Sequence, residues 1–106
     1  MFARKVSLHL KPNAVKDFSK KMESDVIPLL RKQNGFQDEI TFTAKDGSHA
    51  IGISLWDRQE SAEAYERNSY PQVQKLLDQV VEGTPRVETY EVSTSTFHKT
   101  LAPAKT

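Results

Sequence analysis

Cysteine is absent from the 106 residues. That removes disulfides, zinc–thiolate sites, iron–sulfur clusters and thiol nucleophiles from consideration. An excess of charge of one sign is missing too, with 15 Lys and Arg against 14 Asp and Glu and a net charge of +1. A nucleic-acid binder needs a basic excess that neutralises several phosphates, so no nucleic-acid partner is expected. No apolar run approaches the ~18 residues of a membrane span, and no membrane partner is expected either. The first ten residues alternate apolar with polar side chains, unlike the continuous apolar core of a signal peptide; the expected location is the cytoplasm. Apolar residues are also scarce, at 37%. One domain of this size buries only ~60–65% of its chain surface, so its own core would be thin. Burial of further apolar surface against a second copy would relieve that.

The patterning gives a sequence of elements. Val6, Leu8 and Leu10 alternate with Lys5, Ser7 and His9, which predicts a half-buried strand. Lys11-Pro12-Asn13 breaks it, with Asn13 a candidate N-cap. The period then becomes helical, with Val15, Phe18, Met22, Val26, Leu29 and Leu30 on one stripe. Pro28 inside that stripe predicts a kink or split near Val26, and Asn34-Gly35 supplies a terminating residue able to take positive φ. Residues 36–44 alternate again, and Asp46-Gly47 marks a hairpin into a strand over residues 49–56. Asp57 followed by Glu60 reads as a helix start, and that helix runs to about Asn68. Tyr70-Pro71 opens another helix carrying Val73, Leu76, Leu77 and Val80 on one stripe. Gly83-Thr84-Pro85 is expected to stop it. Residues 86–97, rich in Val, Thr and Tyr, predict a last strand. The domain is expected over residues 1–97, with a loose tail over 98–106.

The order β-α-β-β-α-β predicts an α+β, ferredoxin-like fold with a four-stranded antiparallel sheet and helices on one face. The aliphatic sets Val6/Leu8/Leu10, Ile40/Phe42/Ala44 and Ile51/Ile53/Leu55 are expected to meet the helices. The other face would then carry Ser7, His9, Thr41, Thr43, Gly52, Ser54 and Trp56. That mixture fits a wet sheet-to-sheet interface, in which Ser7, Thr41, Ser54 and Trp56 contact a partner copy. A solvated face carrying one Trp is the alternative.

Candidate chemistry is sparse. The three histidines, His9, His49 and His98, fall on separate segments without i, i+4 spacing, so no metal site is expected. His9 could serve as a general base near neutral pH or as an interface histidine. Ser54 sits inside a strand and lacks the flanking glycines of a hydrolase elbow. No phosphate loop or dinucleotide fingerprint occurs. Tyr65 on a sheet-facing helix could hydrogen-bond a substrate oxygen or fill the core.

The run from Ile53 through Trp56, Asp57, Ala62 and Tyr65 to Glu66 resembles the strand-to-helix signature of the antibiotic biosynthesis monooxygenase domain family. The opening strand, the Asn34-Gly35-Phe36 turn and the closing strand from Val87 resemble it too, so that residues 3–97 are covered. The resemblance implies a dimeric α+β barrel in which two sheets close face to face, with a pocket between sheet and helices in each protomer. Some members oxidise phenols or quinols with O2 and no metal or flavin; others degrade haem; others have no known reaction. Where the haem degraders have Asn, Trp and His, an ungapped register finds Val6, Tyr65 and Lys75, so the resemblance does not extend to haem. It implies instead a monooxygenase that needs no cofactor and acts on a small aromatic or quinol molecule. Tyr65, Asn68 and His9 would be catalytic, and Phe18, Met22, Tyr70 and Tyr90 would line the substrate site. A ligand-binding or stress-associated dimeric barrel without catalysis is the other expectation.

Overall fold

The computed structural model describes residues 1–96; His98 and the expected tail lie outside them. Strand β1 spans Phe2–Leu10, β2 Phe36–Thr43, β3 His49–Trp56 and β4 Val81–Glu91. All neighbours pair antiparallel in the order β2-β3-β1-β4. Helices α1 (Val15–Lys21) and α2 (Ile27–Arg31) precede β2, while α3 (Gln59–Asn68) and α4 (Tyr70–Leu77) precede β4. This is the ferredoxin-like plan expected from the patterning.

The first helical region is split where Pro28 predicts. Residues Met22–Val26 form a π-helical stretch between α1 and α2, and the Ile27 amide donates to the Met22 carbonyl. Pro28 has no amide to give the preceding turn, so widening the turn ahead of it spares a broken hydrogen bond. The apolar stripe survives: Phe18, Met22, Val26 and Leu30 are all buried. Two expected caps are absent. Asn13 adopts positive φ of 61° and Ala14 occupies the N-cap of α1. At α3 the N-cap is Arg58, while Asp57 turns its buried Oδ1 toward Gly35 and Ser61.

Strand β4 begins earlier and ends sooner than expected. Gly83, Thr84 and Pro85 lie within it, not before it. The pairing jumps from Ser7↔Arg86 to His9↔Glu82, so these three residues form a bulge opposite Leu8. Pro is tolerated there because β4 is an edge strand.

The main correction concerns β2 and β3. Val6, Leu8 and Leu10 do face the helices, together with Phe2 and Arg4. Register then carries the same face across the sheet: Arg4 pairs with Ser54, Val6 with Gly52, and Phe2 with Trp56. On β2, Glu39 pairs with Ser54 and Thr41 with Gly52. Thr41, Ser54 and Trp56 therefore lie under the helices, not on the uncovered face, and Trp56 is wholly buried at 0% exposure. Ile40 and Phe42 stand on the uncovered face, 40% and 51% exposed, beside Ile51 and Ile53. The physical reason is bulk. The indole fills the gap beneath α3, meeting Phe36 edge-on at 5.6 Å and Tyr65 at 5.1 Å, and its Nε1 donates to Ser54 Oγ at 2.9 Å. Ser7 stays on the uncovered face, as expected.

The turn from α2 into β2 depends on Gly35. Its φ is +82°, and a Cβ there would collide with Asp57 Oδ1 and Ser61 Oγ. Gly83 shares the positive φ, +71°, but has open space around it. Gly35→Ala should therefore cost at least about 2 kcal/mol, against about 1 kcal/mol for Gly83→Ala, where only backbone strain acts. Paired urea titrations of the two variants give the comparison; equal losses would show that Gly35 owes nothing to close approach.

Candidate active site

Small side chains along β3 set the floor of the site. Ala50, Gly52 and Ser54 face the helices in succession. The low profile of Gly52 and Ser54 leaves a cavity of about 240 Å³ between sheet and helices. Phe18, Met22, Val26, Leu30, Val73 and Leu77 supply its apolar wall from the helices. Val6 and Leu8 complete it from β1, and the β4 bulge closes one end with Gly83, Thr84 and Pro85.

Polar groups gather at the other end, in one row across three strands. Arg4 on β1, Ser54 on β3 and Glu39 on β2 share a register. Adjacent strands lie ~4.8 Å apart, so the Arg4 and Glu39 backbones stand roughly 10 Å apart with Ser54 between them. Gly52 makes room for Glu39: a Cβ there would come within 3.1 Å of Glu39 Oε2. Thr41 Oγ1 donates to the Glu39 carboxylate at 2.8 Å. Burial nevertheless pushes the Glu39 pKa above the ordinary carboxylate value, with the Thr41 hydrogen bond opposing it. A carboxyl so placed is a better base than an exposed one.

Arg4 is 2% exposed, a burial rare for a cation. Its guanidinium carbon lies 4.1 Å from the centre of the Tyr70 ring and 5.3 Å from that of Tyr65. Two aromatic faces partly replace its lost hydration, each worth up to ~2 kcal/mol when desolvated. Arg4 Nε donates to Glu66 Oε1 at 3.3 Å, longer than the ~2.7–2.9 Å of a tight charge-assisted bond. Nη2 is buried without a hydrogen-bond partner.

The break between α3 and α4 at Ser69 brings Tyr65 and Tyr70 together, with ring centres 6.2 Å apart. Burial raises the pKa of both phenols, while the Arg4 cation pulls each down, at Tyr70 also through a side-chain hydrogen bond. Both remain protonated at neutral pH and can donate. Ser69 Oγ donates to Gln33 Oε1 at 3.1 Å, and Gln33 Nε2 donates to the Leu29 carbonyl at 3.0 Å. The break is thus tied to the end of α2.

Of the residues singled out from sequence, Tyr65, Tyr70, Phe18 and Met22 line the cavity, and so do Thr41 and Ser54. Three do not. His9 is exposed on the uncovered face, opposite His49 and Glu82. Asn68 is exposed near the end of α3. Ala62 and Tyr65 are the buried residues of α3, whereas Asn68 is its last residue, beside the break at Ser69. Tyr90 pairs with Ala3 and is 51% exposed on the uncovered face. Arg4 and Glu39 are the residues that sequence reading missed. The available signal was the run of small residues at Ala50, Gly52 and Ser54, which marks a hollow floor and hence the strand face its neighbours share. Among the described residues no three His, Asp or Glu side chains come together as a metal-ligand group, and no helix is long and apolar enough to cross a membrane.

No family model and no curated relative matches the sequence. Solved structures do match the fold. A protein of unknown function from Nitrosomonas europaea is 15% identical, with 98% of this chain and 95% of that one covered and a TM-score of 0.75. A monooxygenase from Streptomyces coelicolor, solved in complex with nanaomycin D, is 13% identical over 92% of each chain, with a TM-score of 0.76. A structure named antibiotic biosynthesis monooxygenase is 12% identical, covers 89% of this chain and 100% of that one, and has a TM-score of 0.71. At such identities the likeness is one of architecture: this chain has the ferredoxin-like α+β fold of the antibiotic biosynthesis monooxygenase structures.

Proposed function

We propose that the protein oxidises a small phenolic or quinol molecule with O2 in the cavity between sheet and helices, using no cofactor. The observation that carries this reading is the pairing of an apolar hollow with a single desolvated base, Glu39, at its polar end. The shared fold with structures named monooxygenases supports it. The cavity lies below the ~300 Å³ at which pockets for drug-sized ligands begin, which suits a one- or two-ring molecule. Glu39 takes the phenolic O–H proton. The electron-rich ring then passes an electron to O2, and the resulting pair couples through a new C–O bond at the para carbon. Loss of the C–H proton and cleavage of the O–O bond release water. The sum is phenol + O2 → quinone + H2O: one oxygen atom enters the ring, the other leaves as water, and the four electrons lost by the ring are those O2 accepts. Tyr65 and Tyr70 donate hydrogen bonds and wall the ring in. The exposed positions of Asn68 and His9 favour a second reading, a barrel that binds such a molecule without turning it over.

Oxygen-electrode assays with a panel of hydroxylated naphthalenes decide between the two. Uptake of one O2 per quinone formed is expected, rising with pH as Glu39 ionises above the usual carboxylate range. Glu39→Gln should lose about 10²–10⁴-fold in rate and flatten the pH profile, while Asn68→Ala and His9→Ala leave the rate unchanged. Saturable binding without uptake would establish the second reading. Stability carries a further signature. With the Glu39 pKa raised on folding, the native state holds this proton more tightly, so its contribution to stability falls as pH rises from the unfolded value through the folded one. Glu39→Gln should therefore melt higher than wild type at pH 7, and the gain should vanish at pH 4, where Glu39 is already protonated.

The uncovered sheet face belongs to the same proposal. Ile40, Phe42, Ile51, Ile53 and Leu55 form an apolar surface on it, of a kind that monomers rarely leave in water. A second copy closing on this face makes the expected homodimer, with Ile and Phe in place of Trp56 at the seam. Light scattering should return twice 12.0 kDa for wild type and one chain's mass for Phe42→Asp/Ile53→Asp; a monomeric wild type at micromolar concentration would refute the dimer.

A further inference from the structure

We propose that the cavity selects flat aromatic molecules carrying an anionic oxygen, and that Arg4 is the residue that recognises it. This deepens the reading of the cavity as a ligand site but needs no turnover. A buried guanidinium N–H without a partner is costly, and native structures leave few such groups. Arg4 Nη2 is one, on a residue that lines the cavity and is 2% exposed. Its one ion-pair partner, Glu66, meets Nε, at 3.3 Å, and is itself 53% exposed. Solvent therefore screens that pair, and much of the cationic charge of Arg4 stays available to the cavity.

The aromatic faces fix the shape of what can bind. Tyr70 and Tyr65 lie against the guanidinium, so an anion in the cavity meets it through the N–H groups that Glu66 leaves untaken. A planar fork of this kind prefers a carboxylate or an ionised phenol over a neutral hydroxyl. Orientation follows from the row across the sheet. Glu39 stands two strands from Arg4, with Ser54 between them. A carboxylate repels an anion, so the ligand's charged oxygen goes to the Arg4 end and its ring lies over Ser54 and Gly52.

Calorimetric titration with naphthoate and nitrophenolate, against neutral naphthalenemethanol and nitroanisole, tests this. Each titration is run at a pH where the acidic probe is ionised. At least one anion should bind roughly tenfold or more tightly than its neutral counterpart, the gain expected of one hydrogen bond to a charged group. Preference for naphthoate alone names a carboxylate ligand; preference for nitrophenolate alone names an ionised phenol. Arg4→Gln should erase the preference while keeping the neutral affinity. Glu66→Gln leaves the buried arginine in place and should strengthen anion binding about two- to fivefold, without changing the neutral probes; it decides the matter should Arg4→Gln not fold. Equal binding of anion and neutral probe, no binding by any of the four at millimolar concentration, or weaker or unchanged anion binding in Glu66→Gln would each overturn the proposal. Absent oxygen uptake alongside a retained anion preference would refute the oxygenase and leave this inference standing.

Discussion

The wholly buried Trp56 indole sets which side of the sheet the helices cover. One hydrogen bond to Ser54 and two ring contacts hold it at the end of β3. Aromatic pairs of this kind contribute ~0.5–1.5 kcal/mol each beyond the area they bury. The consequence reaches the whole strand, because side chains alternate between faces. Once Trp56 is inside, Ser54, Gly52 and Ala50 must be inside as well. The helices then rest on Trp56 at one end of β3 and stand over small residues along the rest. The hollow results from a large side chain acting as a pillar beside small ones.

Register passes that decision to the neighbouring strands and brings charge to the hollow. Arg4 and Glu39 enter because they pair with Ser54 on either side. Neither would gain stability from burial by itself. Arg4 is held by two tyrosine faces and a half-exposed carboxylate, and Glu39 by one threonine hydroxyl. Such incompletely compensated groups are what a fold retains where chemistry or recognition needs them, at some cost in stability. The tyrosines have two tasks. They shield the cation from water and they line the cavity, so the packing of Arg4 and the shape of the hollow rest on the same side chains.

The same decision explains the opposite face. With the indole inside, Ile51, Ile53 and Leu55 are driven outward to join Ile40 and Phe42. The scarcity of apolar residues pointed to burial against a second copy, and the apolar character of this face is the stronger argument for it. A sheet expected to meet its partner through Ser, Thr and Trp presents isoleucine and phenylalanine there. The hydrogen-bonding residues face the cavity.

Local pattern was enough for the order of elements, the split at Pro28, the positive φ at Gly35 and the hairpin at Asp46-Gly47, since each depends on backbone preferences a few residues long. It was enough also for Phe18, Met22, Tyr65 and Tyr70 as cavity residues, because a helical stripe has only one apolar side. The faces of β2 and β3 were not legible in this way. Both sides of these strands carry large apolar groups, and alternation cannot say which side is in. The choice rests on how much volume fits beneath α3 and on cross-strand register, both of which exist only once distant segments meet. Arg4 and Glu39 stayed hidden for that reason: as charged residues in alternating strands they read as solvent-facing, and only their pairing with a buried serine puts them within the site.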